Sequence, residues 1–117
     1  MAVLKRNKKE DKAVIYRYLY NGKVVYVGKT IRSLQQRVEE HCRDLKFYGI
    51  VEVEFYETTQ RKDICKHEAF WINYYKPVLN EYIPGEHCAL SHKPRNKWRK
   101  YPYKIEYKTP LTLQKIF

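Results

Sequence analysis

Two β-rich runs, AVIYRYLY and KVVYVGKT, meet at Asn21-Gly22. Both turn residues tolerate the positive φ of a type I′ turn, the turn whose twist suits a two-residue hairpin. A hairpin with arms roughly over 14–20 and 23–27 is therefore expected. Alternation places Val14, Tyr16, Tyr18 and Tyr20 on one face of the first arm, and Ile15, Arg17 and Leu19 on the other. Neither face is purely apolar. A face rich in tyrosine serves packing, and it also offers hydroxyls to a site.

The next segments set the architecture. Ser33, with Gln36 three residues on, fits a capping box. Leu34, Val38, His41, Cys42 and Leu45 then form the buried stripe of a helix, with Arg37 at its edge. After Gly49, IVEVEFYET alternates as a third strand, Val51, Val53 and Phe55 opposite Glu52 and Glu54. Glu52 and Glu54 read as a solvent-facing row. A second helix is expected over about 60–75 and stops before Pro77, which cannot donate a backbone hydrogen bond. The order predicts an α+β fold: a small three-stranded, mainly antiparallel sheet flanked by helices.

Within that second helix Ile64, Trp71, Ile72 and Tyr75 share one apolar face. Glu68 falls on the same face. A lone carboxylate turned toward a core costs on the order of several kcal/mol unless it is paired, protonated or bound.

Charge points to the partner. The chain of 117 residues, one domain in size, carries a net charge of +11. Residues 1–12 hold five Lys/Arg against two acids and residues 81–117 eight against three, so +8 of the total lies in the flanks of a nearly neutral body, 13–80. Such arms grip a polyanion by counterion release, nucleic acid before membrane. Beyond Asn80 the chain is rich in proline, basic residues and aromatics. There Arg95, Lys97, Trp98, Arg99 and Lys100 are candidates for phosphate contact and base stacking. The alternative is that these aromatics pack on the body, with a short strand near 103–107. No apolar run approaches the roughly 20 residues that span a bilayer. Three cysteines and the lack of an apolar leader imply reduced thiols in a cytoplasmic setting.

The motifs taken together resemble the GIY-YIG nuclease superfamily. VIY at 14–16 and YVG at 26–28 resemble the two halves of its signature. GKTIRSLQQRVEEH places Arg37 and His41 where the family carries its helix arginine and a His or Tyr. HEAFWINYYKPVLN supplies its glutamate, Glu68, and its asparagine, Asn80. Val14 stands in for the first glycine of the name and Val27 for an isoleucine; neither position carries a reactive group.

The resemblance implies metal-dependent hydrolysis of DNA, duplex or branched. Glu68 would hold one Mg²⁺ or Mn²⁺, which suits a hard cation that keeps water and phosphate oxygens as its other ligands. Arg37 would clamp the phosphate. Tyr16, then His41, then Tyr26 are candidates for the general base, with Lys29 favouring a phenolate and also meeting nucleic acid. Gly28 would permit a tight strand exit and Asn80 would order the site. Whether one molecule nicks or a homodimer cuts both strands is not written in these residues. A stand-alone chain of this size suits a phage, a mobile element or a bacterial cell.

Rival sites are weaker. Cys88 and His92, or Cys65 and His67, lack the paired spacing of structural zinc. GKT lacks the upstream glycine of a P-loop. Cys42 and His41, adjacent on a helix, point apart. The remaining alternative is a non-catalytic, basic nucleic-acid-binding module.

Overall fold

The computed structural model of the chain describes residues 13–44, 48–58 and 61–108. The basic arm 1–12, Leu45 and position 60 lie outside them. β1 (Ala13–Tyr20) and β2 (Lys23–Thr30) form the expected hairpin. Asn21 and Gly22 take φ values of 53° and 80°, both left-handed as a type I′ turn demands. β2 runs three residues further than its sequence pattern suggested, so Gly28 lies inside the strand rather than at a tight exit.

One irregularity matters. Tyr18 pairs with Tyr26, but Leu19 pairs with Val24, so Val25 is the extra residue of a bulge. A plain strand would send Val25 and Tyr26 to opposite faces; the bulge turns both toward the same core.

α1 (Leu34–Asp44) follows, its first turn capped where expected by Ser33, whose Oγ accepts the Gln36 N–H at 3.0 Å. β3 (Tyr48–Thr58) pairs antiparallel with β1 on the side away from β2. A turn of 3-10 helix, Arg61–Asp63, leads into α2 (Ile64–Tyr75). Lys76 ends that helix in the left-handed region at φ 48°, its N–H returned to the Ile72 carbonyl at 2.7 Å, and Pro77 prevents continuation.

The sheet lies between the two helices. On the α1 face Tyr16, Tyr18, Val25, Val38, Val51 and Val53 form one buried cluster. On the α2 face Ala13, Ile15, Val27, Tyr56, Ile64, Trp71 and Ile72 form another. This is the α+β arrangement expected, with one addition. The C-terminal segment supplies β4 (Arg99–Lys100) and β5 (Ile105–Lys108), both paired to β3, so five strands replace three in the order β2-β1-β3-β4, with β5 also beside β3. The physical reason is edge protection: without them β3 would present unpaired donors and acceptors to solvent.

Before reaching that edge the segment straps α2. Asn73 donates to the Pro84 carbonyl at 2.9 Å and the Leu90 N–H reaches the Lys66 carbonyl at 3.3 Å. Trp98 then lies edge-on to Tyr56 and Trp71, with ring centroids 4.8 and 5.4 Å away. The Arg17 guanidinium sits 4.2 Å from the Trp98 ring centroid and bonds Glu54 and Tyr75. Glu54 is thus half-buried in an ion pair rather than part of a solvent-facing row. Among the described residues no helix is long and apolar enough to cross a membrane.

Candidate active site

β2 is an edge strand, and this lets residues from both faces of the sheet meet. Along it Tyr26 turns toward α1 and Lys29 toward α2. Arg37 and His41 arrive from α1, Glu68 from α2, and Asn80 from the segment after α2. All six border one cleft of about 280 Å³. Asn80 is fixed there by pairing with the edge backbone: its Oδ1 accepts the Val27 N–H at 3.0 Å and its Nδ2 donates to the Val27 carbonyl at 2.9 Å. The side-chain amide thus extends, by one rung, the pairing that the Leu79 N–H begins on this edge by donating to the Val25 carbonyl at 2.9 Å.

Glu68 does not enter the core. Its side chain keeps 17% exposure and accepts a hydrogen bond from Lys29 Nζ at 2.9 Å. Burial pushes the Lys29 pKa down, but the bond and charge of Glu68 outweigh it and leave the ammonium above its ordinary value. The inward place on α2 belongs to the neighbouring His67, whose Nδ1 is 2.7 Å from the Tyr56 hydroxyl; that hydroxyl also accepts Trp71 Nε1–H at 2.9 Å. Burial lowers the His67 pKa, which keeps the ring neutral there. The apolar periodicity pointed to Glu68 and passed over His67, because neutral imidazole with a buried partner behaves as a core residue.

Behind the cleft stands a cluster of four rings. Tyr16, Tyr18, Tyr26 and His41 have centroids between 5.0 and 6.2 Å apart. The Tyr18 hydroxyl and His41 Nδ1 are joined at 2.8 Å, which orients the imidazole. Tyr18 received no role from its sequence position; its register opposite Tyr26 is the signal that brings it in.

Tyr16 is 0% exposed, and its hydroxyl finds no hydrogen-bond partner among the described residues. Burial, then the nearby Tyr26, raise its pKa well above the ordinary phenol, while Arg37 pulls it down. Burial also raises Tyr26, again against Arg37. Gly28 pairs with Tyr16 across the hairpin, and a Cβ added there would lie 2.5 Å from the Tyr16 ring tip. Glycine is therefore required by ring packing and not by a turn.

Arg37 Nη1 donates to Glu40 at 2.9 Å, and Arg32 donates to the same carboxylate oxygen at 2.8 Å. Arg32 and then Arg37 hold the Glu40 carboxyl at about 2. Glu40 was not singled out in the sequence, although its three-residue step from Arg37 is a helical pairing signal. Lys29, Arg32 and Arg37 are matched in number by Glu40, Glu68 and Glu81, so the cleft and its rim offer cationic donors to a phosphate beside carboxylates that can face a cation.

The nucleic-acid candidates of the C-terminal segment are not gathered here. Arg95, Lys97, Arg99 and Lys100 are exposed, but Arg99 and Lys100 sit on β4, at the opposite edge of the sheet. Arg99 pairs with Glu57 at 3.2 Å, and Trp98 takes the packing role of its two readings.

The donor set fits a hard divalent cation and not zinc. Two carboxylates, Glu68 and Glu81, border a cleft with room for water and phosphate oxygens, the usual surroundings of Mg²⁺. No group of three His, Cys, Asp or Glu side chains converges among the described residues, and Cys65 and Cys88 are free and exposed.

No curated protein and no solved structure matches the chain. The family model of the GIY-YIG catalytic domain does, over residues 12–83. With Tyr26, the arginine on α1 and the glutamate on α2 bordering one cleft and Tyr16 buried behind it, the chain belongs to the GIY-YIG nuclease superfamily, whose domain is of nuclease type.

Proposed function

We propose that the chain is an endonuclease that hydrolyses DNA phosphodiester bonds with one Mg²⁺ or Mn²⁺ held by Glu68. The observation that carries this reading is the convergence of Lys29, Arg37, Tyr26 and Glu68 on one cleft from both faces of the sheet. A dication at Glu68 would supply Lewis acidity, drawing charge from the phosphate and acidifying water beside it.

The chain's own residues supply the rest. Arg37 offers a planar set of donors to the phosphate and meets the charge that grows on it during attack. Lys29, held against Glu68 in the free protein, has an ammonium that a phosphate oxygen can share. The attacking water must lose a proton, and Tyr26 borders the cleft with Tyr16 directly behind it. A phenol of ordinary pKa is ionised about once in a thousand molecules at pH 7, a handicap of about 4 kcal/mol. Burial of both rings enlarges it, and Arg37 opposes it. In this reading the two tyrosines share the acceptor role, and His41, held by Tyr18, fixes the position of their rings.

A second reading, the non-catalytic binding module, draws on the Lys29–Glu68 pair, since a merely structural carboxylate is satisfied in that way. Supercoiled plasmid separates the two. With Mg²⁺ or Mn²⁺ the wild type should nick or linearise it, EDTA should stop it, and Glu68→Ala should be inert. Plasmid left intact by folded, DNA-binding wild type would favour the module, and the nicked-to-linear ratio reads whether one or two strands are cut.

A further inference from the structure

A larger groove lies beside the cleft on the α1 face, about 640 Å³ in volume. Its walls include Ile31, Leu34, Phe55 and Tyr101, with Arg32 on the β2 side and Lys100 on the β4 side. Glu57 also borders it, but Arg99 neutralises that carboxylate. A hollow of about 290 Å³ joins groove and cleft, because Lys29 and Arg37 border both hollow and cleft while Ile31 and Arg32 border both hollow and groove. The three hollows follow one another from Glu68 round to Lys100; Lys29, Arg32, Arg37 and Lys100 stand along them, the first three beside Glu68 and Glu40 as ion-pair partners, and the far end is largely apolar.

That combination selects one occupant. A paired duplex keeps its bases stacked and shows this groove only phosphates and base edges, which gain little from Ile31, Phe55 or Tyr101. An unpaired nucleotide brings a free base face to aromatic and apolar walls while its phosphates follow Lys29, Arg32 and Lys100. We propose that the groove is a subsite for the unpaired nucleotides that flank the scissile phosphate, so that the protein prefers DNA with a single-stranded flap over plain duplex. The inference rests on the nuclease reading for the meaning of the cleft, but its binding test does not.

The test is fluorescence anisotropy in EDTA, with a blunt duplex and with the same duplex carrying a five-nucleotide 5′ or 3′ flap. Stacking of even one base predicts about fivefold or more tighter binding of one flapped form by the wild type. Ile31→Ser, a neutral change at a side chain 50% exposed, should lower the ratio of flapped to blunt affinity by several fold without lowering the melting temperature. Tyr101→Leu should reduce it while keeping bulk against the α1 core. Equal affinity of the wild type for blunt and flapped forms overturns the proposal, as does a preference that survives both variants. The two readings fail separately. Metal-dependent nicking without flap preference removes the subsite alone, whereas flap preference without any nicking removes the nuclease alone.

Discussion

Gly28→Ala tests the packing behind the cleft. The added Cβ would lie 2.5 Å from Tyr16 Cζ and Oη and 2.9 Å from Cε2, well inside contact distance. The Tyr16 ring cannot swing aside, because it is fully buried among Tyr18, Tyr26 and His41. Overpacking of this kind costs about 1–3 kcal/mol. Against it, alanine in a strand recovers about 0.5–1 kcal/mol relative to glycine. The net expectation is a loss of about 1–2 kcal/mol, or a melting temperature lower by about 5–10 °C for a domain of this size. Urea unfolding and thermal melts of four proteins measure it: wild type, Gly28→Ala, Tyr16→Leu and the double variant. Leucine removes the ring tip, so in the Tyr16→Leu background the alanine should become neutral or stabilising by about 0.5 kcal/mol. Tyr16→Phe should bring no such relief, since Cζ itself is in the way. Additive effects of Gly28→Ala and Tyr16→Leu, or a Gly28→Ala protein as stable as wild type, would refute this account of the glycine.

Tyr16→Phe should separate stability from function: it removes a buried hydroxyl that lacks a partner, so the protein should melt at the same temperature or higher, by up to about 1 kcal/mol, while plasmid nicking falls about 100-fold or more. Asn80→Ala should cost about 2 kcal/mol in a urea melt, because the Val27 N–H and carbonyl both lose their partner at the strand edge; a loss under 0.5 kcal/mol would mean that water replaces the amide without penalty. Stability should also fall above pH 10. Burial raises the Tyr56 phenol to about 12 against the pull of Trp71, so between pH 10 and 12 the unfolded chain loses a proton that the folded chain keeps. The slope from this one residue is about 1.4 kcal/mol per pH unit, and urea melts at pH 9 and 11 should show Tyr56→Phe to be the less alkali-sensitive protein.

Short-range rules made much of this protein legible from its residues. Asn21-Gly22 requires its turn through the φ values of two adjacent residues, Ser33 caps α1 across three, and Pro77 stops α2 by its own missing N–H. The site residues were equally legible as types: an arginine on the first helix, tyrosines on the hairpin, a carboxylate where an apolar residue was due. What those residues do to one another was not legible, because it depends on register and sheet order over long separations. The bulge at Val25, one residue in β2, decides that Tyr26 faces the core of α1. The choice between His67 and Glu68 for the inner face of α2 turns on whether Tyr56, eleven residues back in β3, offers a hydroxyl. Gly28 reads as a turn residue until Tyr16 is placed across from it. The C-terminal segment reads equally as a nucleic-acid arm or as an extension packed on the body with a short strand near 103–107, and only the open edge of β3 shows where its strands pair. Local propensity set the elements; the edge position of β2 brought Lys29, Arg37 and Glu68 together, since only at an edge can side chains from both faces of a sheet reach the same cleft.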